Sequence, residues 1–284
     1  MSSAQLPGTV IIAAHNEEAV IGRGLTSLAR ALADGVRVVV VCNGCSDGTA
    51  GVARGHPGVT VIELDTASKA AALRAGDRVA APGPRVYLDA DVVMTSRAVV
   101  DVLHALADGP ALAGRPPSLF DYADADGLVR RWYSIRERLP SIQGTLWGAG
   151  AYALAPAGRA RFEEFPDILS DDLFIDSLFA EHETAIIDTD PVIVRTPRRT
   201  ADLVRVLKRS YRTQHEVPSG DALVSDGQRG QLGDLVRLLR ARPSELPNAV
   251  VYATTIVFAR IAARVSQGAR WERDTSSRES PTGH

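Results

Sequence analysis

Four short runs rich in β-branched residues alternate with helical patterns through the first ninety residues, and this alternation most constrains the fold. The apolar runs cover residues 9–13, 36–41, 59–63 and 85–88, and the helical patterns cover residues 17–33, 47–54 and 68–80. Strands that are apolar at nearly every position are typical of a parallel sheet buried on both faces. The alternation therefore predicts an α/β protein built of βαβ units, with the carboxyl ends of its strands at one ligand-binding edge.

The second half of the chain is less regular. Helices are predicted over residues 126–139, 171–180, 200–215 and 246–265, and strands over 148–154, 185–188 and 192–195. Residues 217–230 are polar and predict a loop, and residues 271–284 predict a disordered tail. We expect a main domain over 1–215, with a nucleotide-binding half (1–110) and an acceptor half (111–215). A helical extension over 216–270 and the tail 271–284 would follow.

Composition excludes several classes of protein. The chain has 284 residues, 45% of them hydrophobic, and a net charge of −2, so it is too apolar to be disordered and gives no electrostatic case for binding nucleic acid. Two cysteines exclude a disulfide framework, and the amino-terminal segment lacks the basic region of a signal peptide. We therefore expect a cytoplasmic protein.

Polar residues follow three of the predicted strands. His15, Asn16 and Glu17 follow the first strand, residues 43–47 follow the second, and residues 89–91 follow the fourth. Helix capping is the alternative explanation for the first two loops. Capping does not explain two acidic residues at the end of a buried strand.

Asp89 and Asp91 are separated by one residue, so in extended geometry their side chains point to the same side. Two adjacent carboxylates repel each other unless a cation lies between them. Oxygen ligands of this kind suit Mg²⁺ or Mn²⁺, which also bind substrate phosphates. The pair therefore predicts a metal site that would neutralise a diphosphate leaving group.

Four segments within the first hundred residues resemble a family of known enzymes. The segments VIIAAHNEE, VVVCNGCSDGT, SKAAALRAG and YLDAD are similar, in order and spacing, to family 2 glycosyltransferases of the GT-A fold. The resemblance implies a mostly parallel sheet flanked by helices and a metal-dependent enzyme, inverting at the sugar carbon. Such an enzyme moves a sugar from a nucleoside-diphosphate sugar, with a UDP-sugar favoured, to a hydroxyl group of a saccharide, lipid or small metabolite.

The resemblance also implies roles for individual residues. Those expected at the nucleotide are His15, Asn16, Glu17, Asn43, Asp47, Lys69, Asp89 and Ala90. Asn43 stands where the family usually has aspartate, so the identity of the base stays open, since an amide both donates and accepts hydrogen bonds. Asp89 and Asp91 would hold the metal.

Weaker similarity continues beyond residue 140. Trp147, Gly148, Ala149 and Gly150 resemble the family's glycine-rich segment beside the acceptor, although a tight loop before a strand would have the same pattern. Asp171 and Asp172 stand at the position of the family's catalytic acidic pair, with Asp172 the first candidate for the base and Asp171 the second. The alternative is that Ser170 caps a helix whose first turn the two acids favour.

Basic residues are concentrated between residues 195 and 212. Arg198 and Arg199 are the candidates for contact with the donor diphosphate, and a solvated or lipid-facing surface is the alternative. For residues 246–265 a buried packing helix, a membrane-surface helix and a dimer contact all stay open. Segments 195–212 and 246–265 together indicate a peripheral contact with the inner face of a membrane.

Two other functions have support in the sequence. Cys42 and Cys45 form a C-x-x-C pair at a strand end, which is typical of thiol-disulfide oxidoreductases. A protein that binds a nucleotide sugar without transferring the sugar would carry the same nucleotide-binding motifs. A dehydrogenase is disfavoured because the loop after the first strand has no G-x-G-x-x-G pattern.

Overall fold

The computed structural model describes residues 8–168, 170–213 and 226–265. The strands are β1 (Thr9–Ala14), β2 (Arg37–Asn43), β3 (Val59–Leu64), β4 (Arg85–Asp89), β5 (Ala113–Arg115), β6 (Ser118–Asp121), β7 (Ala151–Leu154), β8 (Thr184–Ile186) and β9 (Val192–Arg195). The helices are α1 (Glu18–Ser27), α2 (Ala29–Ala33), α3 (Thr49–Arg54), α4 (Lys69–Val79), α5 (Ser96–Asp108), α6 (Gly127–Arg136), α7 (Pro140–Gln143), α8 (Pro156–Arg159), α9 (Asp171–Ser177), α10 (Thr200–Thr213), α11 (Asp226–Ala241) and α12 (Leu246–Val265).

Seven of the described strands form one mixed sheet in the order β3-β2-β1-β4-β7-β5-β8. The first four strands are parallel, with Val10 of β1 in register with Val38 of β2 and Val86 of β4. Strand β7 is antiparallel to both β4 and β5, whereas β5 and β8 are parallel. The predicted mostly parallel sheet flanked by helices, followed by a helical region, is confirmed.

Alternate residues of the central strands face two different helical layers. Val10 and its even-numbered neighbours pack in one core with residues of α1, α2, α3 and α5. Ile11 and Tyr87 face the opposite layer, where they pack with Leu73 of α4 and Ile175 of α9. Both faces of the sheet are therefore buried, which explains why the strands have almost no polar alternation.

The described residues form two compact units. The first contains the residues up to Leu119 together with Leu146–Val194, and the second contains Phe120–Thr145 together with the residues from Arg195 onward. The seven-stranded sheet belongs to the first unit. Helices α6, α7, α10, α11 and α12 belong to the second unit, which therefore takes residues from the predicted acceptor half as well as from the predicted extension.

The helix predicted over residues 17–33 is two helices, because a side chain from elsewhere interrupts its hydrogen bonding. In a continuous helix the amide of Ala31 would donate to the carbonyl of Ser27. Here the hydroxyl of Ser96 accepts from the Ala31 amide at 3.0 Å and donates to the Ser27 carbonyl at 2.7 Å. This insertion ends α1 before Leu28 and starts α2 after it.

Two further expectations from the sequence are corrected. Residues 226–230, predicted as loop, belong to α11, whose Asp234 is buried and accepts a hydrogen bond from the Ser141 amide at 2.6 Å. Tertiary packing thus overrides the weak helix propensity of the glycines in this segment.

Strand β7 begins at Ala151 instead of residue 148, because Gly148 and Gly150 have positive φ angles. The rest of the predicted loop, residues 214–215 and the predicted tail lie outside the described residues.

Candidate active site

The loops that follow β1 and β2 are joined by hydrogen bonds at the carboxyl edge of the sheet. His15 Nδ1 lies 2.6 Å from the backbone oxygen of Asn43. The Asn43 side chain is buried and donates to the Ala14 carbonyl at 2.9 Å. These contacts bring together the residues predicted to bind the base, but they also give Asn43 a structural role in tying the two strand ends together.

Asn16 and Asp47 fix the same pair of loops. Asn16 has a φ of 53°, and its side-chain oxygen accepts from the Ser46 amide at 2.7 Å. Asp47 accepts from the Glu18 amide and from both the amide and the hydroxyl of Thr49. Although burial acts to raise the pKa of Asp47, these hydrogen bonds from Thr49 and Glu18 hold it below its usual value. A contact of Asp47 with a nucleotide stays a prediction.

Glu17 and Ala90 have buried side chains. The Glu17 amide donates to the Thr49 hydroxyl at 2.7 Å, which places Glu17 at the start of α1 beneath the loop surface. Ala90 packs in the core between the sheet and the helices on one face. The structure therefore presents neither side chain at an open surface, and their role at the nucleotide stays a prediction.

Lys69 forms the centre of a charged cluster. Its Nζ atom lies 2.7 Å from Oδ1 of Asp89 and 2.7 Å from Oδ1 of Asp171. Burial alone would lower the pKa of Lys69, but the carboxylates of Asp171, Asp89 and Asp172 raise it well above its usual value. Lys69 is thus held charged between two acids from distant parts of the sequence. It is the first residue of α4, and the hydroxyl of Ser68 caps this helix by accepting from the Ala71 amide.

Asp171 is buried and its two oxygens have different partners. Oδ1 pairs with Lys69, while Oδ2 accepts a hydrogen bond from the Tyr152 hydroxyl at 2.8 Å. The Tyr152 ring stacks on Tyr87 at a centroid distance of 5.0 Å, which fixes the hydroxyl. Tyr152 is a site residue that we did not predict. Its position near the start of the strand that follows the glycine-rich segment is the sequence feature that could have identified it.

Asp172 is oriented by backbone amides. Its Oδ2 accepts from the Gly148 amide at 2.8 Å and its Oδ1 from the Leu173 amide at 2.8 Å. Burial and the neighbouring Asp171 charge raise the pKa of Asp172, whereas Lys69 and the two amides oppose the shift. Ser170 occupies the N-cap position of α9, but its side chain makes no capping hydrogen bond. Asp171 and Asp172 do lie in the first turn of this helix, as the alternative explanation expects.

The glycine-rich segment brings the two acidic sites together. Gly148 and Gly150 have φ angles of 76° and 65°, a conformation that favours glycine. The Gly150 carbonyl accepts from the Asp89 amide at 2.8 Å, and a Cβ atom on Gly150 would lie 2.5 Å from Val92 Cγ2 and 3.2 Å from Asp89 Oδ2. Ala149 is buried and Trp147 is partly buried. The segment therefore contacts Asp89 on one side and Asp172 on the other.

Burial raises the pKa of Asp89 to about 6, with further contributions from the Asp171 and Asp91 charges and opposition from Lys69. Asp91 is exposed and lies in a turn, closed by a hydrogen bond from the Val92 amide to the Asp89 carbonyl at 3.1 Å. The extended geometry predicted for the Asp89–Asp91 pair is therefore wrong, because the strand ends at Asp89.

The residues at the end of β4 suit a divalent cation that would take only a few of its ligands from the protein. Within the described residues, no group of three or more His, Cys, Asp or Glu side chains is arranged to hold a metal ion. Asp89 and Asp91 nevertheless supply hard carboxylate oxygens of the kind that Mg²⁺ and Mn²⁺ accept, and such ions take remaining ligands from water and substrate phosphates. A bound cation would offset the negative charge of Asp91, which adds to the effect of burial on the pKa of Asp89.

A small cavity of about 10 Å³ lies beside the charged cluster. A space of this size holds about one water molecule. The cavity is lined by charged, apolar and aromatic residues, namely Lys69, Leu73, Tyr87, Leu88, Asp89, Gly150, Tyr152, Asp171 and Asp172. The site thus joins residues from β4, α4, β7 and α9, all in the first compact unit.

Arg198 and Arg199 belong to the second compact unit. The Arg198 guanidinium lies 3.9 Å from Asp124, and the Arg198 carbonyl accepts from the Asp126 amide at 2.8 Å. Arg199 is exposed. Their proposed contact with a diphosphate stays a prediction.

Cys42 does not have the environment of a redox-active thiol. Cys42 is buried, and burial, followed by the effect of neighbouring Cys45, raises its pKa to about 12. Reactive C-x-x-C motifs instead have a lowered thiol pKa, often at a helix amino terminus. The thiol-disulfide alternative therefore finds no support in the geometry.

Several solved structures share the fold. A mannosyltransferase from Pyrobaculum calidifontis, PcManGT, solved with GDP-Man and Mn²⁺, superposes with a TM-score of 0.61 at 21% identity over 91% of this chain and 86% of that chain. TarS (1–349) from S. aureus gives 0.51 at 15% identity over 89% of this chain and 80% of its own. Glucosyl-3-phosphoglycerate synthase from Mycobacterium tuberculosis, solved with Mn²⁺, UDP and glucosyl-3-phosphoglycerate, gives 0.51 at 19% identity over 74% and 84%.

Comparison of the sequence with curated proteins gives no match. Comparison with family models does. The model described as Glycosyl transferase family 2 matches residues 9–151, from the first strand of the sheet to the start of β7. The matched residues include Lys69, the Asp89–Asp91 turn and the glycine-rich segment. Because this match covers half of the chain, the protein belongs to glycosyl transferase family 2.

Proposed function

We propose that the protein transfers a sugar from a nucleoside-diphosphate sugar, with a UDP-sugar favoured, to a hydroxyl acceptor. The single observation that carries this proposal is the cluster in which Lys69, Asp89, Asp171 and Asp172 meet beside the glycine-rich segment. Family membership and the fold shared with sugar transferases support it. The solved structures that share the fold contain GDP-Man or UDP.

Asp172 is the residue we assign as the general base. Asp171 is neutralised by its ion pair with Lys69, whereas both oxygens of Asp172 accept hydrogen bonds from uncharged backbone amides. Its raised pKa makes Asp172 a stronger base than an ordinary aspartate. The base would take the proton of the acceptor hydroxyl. The acceptor oxygen would then form its bond to the sugar carbon as the bond from that carbon to the diphosphate breaks on the opposite face, which inverts the configuration.

Asp89 and Asp91 would hold Mg²⁺ or Mn²⁺ against the donor diphosphate. A bound divalent cation supplies positive charge that stabilises the leaving nucleoside diphosphate. Lys69 places a second positive charge at Asp89, so it is suited to hold this carboxylate and to contact the phosphates. Asp171 and Tyr152 position Lys69 through the hydrogen bonds described above.

A pair of variants tests the assignment of the base. We expect Asp172→Asn to keep nucleotide binding and to lower the rate of sugar transfer by about 10²–10⁴-fold, since an amide cannot accept the proton. Asp176→Asn in the same helix is the matched control, because Asp176 accepts from the Leu146 amide outside the charged cluster. Transfer at the original rate in Asp172→Asn would reject the assignment, and no transfer by the unaltered protein with any donor would favour a binding protein without turnover.

A further inference from the structure

Helix α12 exposes an apolar surface. Five large apolar side chains are more than half exposed, and they are Leu246 (55%), Val250 (51%), Val257 (55%), Phe258 (61%) and Ile261 (56%). At 3.6 residues per turn these five positions fall on one side of the helix, with the exposed Ala253 and Thr254 between them. An exposed helix face of this kind is normally polar, and an extended apolar one indicates a contact surface.

The opposite side of α12 is fixed to the protein. Ala249, Tyr252 and Ala259 are buried, and the Tyr252 ring lies 5.2 Å from the Trp132 ring of α6. Among the described residues, this helical segment is the one that length and composition would allow to cross a membrane. However, its buried side packs on α6 and on the Arg- and Lys-bearing α10, so a position on a membrane surface fits the packing better than a span does.

The charge around this surface is positive. Arg260 and Arg264 are exposed near the end of α12, which contains no acidic residue. The Arg260 guanidinium lies 5.0 Å above the Tyr211 ring of α10, and Lys208 and Arg212 are within one turn of Tyr211. Residues 195–265 contain 13 Arg and Lys but only 6 Asp and Glu, in a chain whose net charge is −2.

We propose that the exposed face of α12 binds the surface of a membrane that contains anionic lipids. The five apolar side chains enter the boundary between headgroups and acyl chains, and the basic residues at the end of α10 and α12 contact the lipid phosphates. A second copy of the chain is a less suitable occupant, because the same face would offer Arg260 and Arg264 no acidic partner. This inference depends on α12 and its neighbours and not on the sugar-transfer reaction.

Co-sedimentation of the full-length protein with vesicles tests the proposal without any substrate. We expect binding to phosphatidylcholine vesicles that contain phosphatidylglycerol, weaker binding to phosphatidylcholine alone, and weakening by salt. Val257→Glu and Ile261→Glu should each lower the bound-to-free ratio about tenfold or more, because each puts a charge on the membrane-facing side. Leu119→Glu is the matched control, since Leu119 is equally exposed (54%) but lies in the first compact unit.

The outcomes separate the possible occupants. Binding that both α12 variants lose and Leu119→Glu keeps would support the proposal. Absence of vesicle binding, or binding that the α12 variants retain, would overturn it. A dimer in vesicle-free light scattering that Val257→Glu converts to a monomer, with no lipid binding by the unaltered protein, would instead assign this face to a second copy.

Discussion

The ammonium group of Lys69 lies 2.7 Å from Oδ1 of Asp171, although the two residues are 102 positions apart in the sequence. The same ammonium group contacts Asp89 at the end of β4. One lysine thereby joins the candidate metal-binding strand end to the helix that carries the candidate base. The positions of Asp89 and Asp171 depend on this shared partner, because two neighbouring carboxylates, of which Asp171 is buried, would repel each other without a cation between them.

Replacement of Lys69 by methionine should destabilise the protein. The variant leaves the buried Asp171 without its positive partner, and we expect the free energy of unfolding to fall by about 2 kcal/mol. Urea denaturation followed by circular dichroism measures the effect. Lys208→Met is the control, since this other lysine of the chain should change stability by less than about 0.5 kcal/mol. Equal stability of both variants would mean that the cluster does not depend on Lys69.

Replacement of Gly150 by alanine should disturb both stability and the site. The φ of 65° is costly for alanine, and the new Cβ would meet Val92 and approach Asp89. We expect a loss of about 1–3 kcal/mol and weaker metal-dependent nucleotide binding. Gly51→Ala is a matched control, because no atom lies within 4 Å of its Cβ position in α3, and alanine there should stabilise by about 0.4–1 kcal/mol. Similar effects of both substitutions would contradict the geometry described for Gly150.

The pH dependence of nucleotide binding should report on Asp89. Its pKa is raised to about 6, so the carboxylate takes up a proton as the pH falls through that value and loses affinity for a cation. We expect Mn²⁺-dependent nucleotide binding to weaken about tenfold per pH unit below pH 6. The pH has the opposite effect on the stability of the fold. The contribution of Asp89 to the free energy of unfolding is fully present below the usual pKa of aspartate, and it is lost as the pH rises through about 6. Binding that is constant between about pH 5 and pH 8 would contradict the shift.

Chemical labelling should distinguish a structural Cys42 from a redox-active one. Because Cys42 is buried and its pKa is raised to about 12, its thiol stays protonated at neutral pH. We expect iodoacetamide to leave Cys42 unlabelled in the folded protein and to label it fully in denaturant, as measured by peptide mass spectrometry. Rapid labelling of Cys42 in the folded state would contradict a purely structural role and would favour a thiol-disulfide oxidoreductase.

The central strands were predictable because local sequence determines them. The first four runs of β-branched residues place β1 to β4 within two residues of their observed bounds, and polar residues mark the sheet edge after the first, second and fourth runs. The break at Leu28 was not predictable, because it depends on the Ser96 hydroxyl, which belongs to a helix far along the chain. The same limit applies to α11, whose glycine-rich beginning is helical despite its weak propensity.

The sequence predicts which residues form the candidate site better than it predicts the contacts between those residues. The motif residues Lys69, Asp89 and Asp171 were identified from the sequence, but their shared ion pairs arise from the packing of β4, α4 and α9. Tyr152 was missed as a partner of Asp171 for the same reason. The turn at Asp91 depends on where β4 ends, which a D-x-D pattern alone does not specify.

Calorimetric titration of the full-length protein with UDP, GDP and TDP, each with and without Mn²⁺, tests the central claim most directly. We expect that one of these nucleotides binds in the presence of Mn²⁺ and that Asp89→Asn removes the metal-dependent part of the affinity, since Asp89 is the carboxylate at the end of β4 that pairs with Lys69. Failure of all three nucleotides to bind with Mn²⁺ would contradict a nucleotide-sugar transferase.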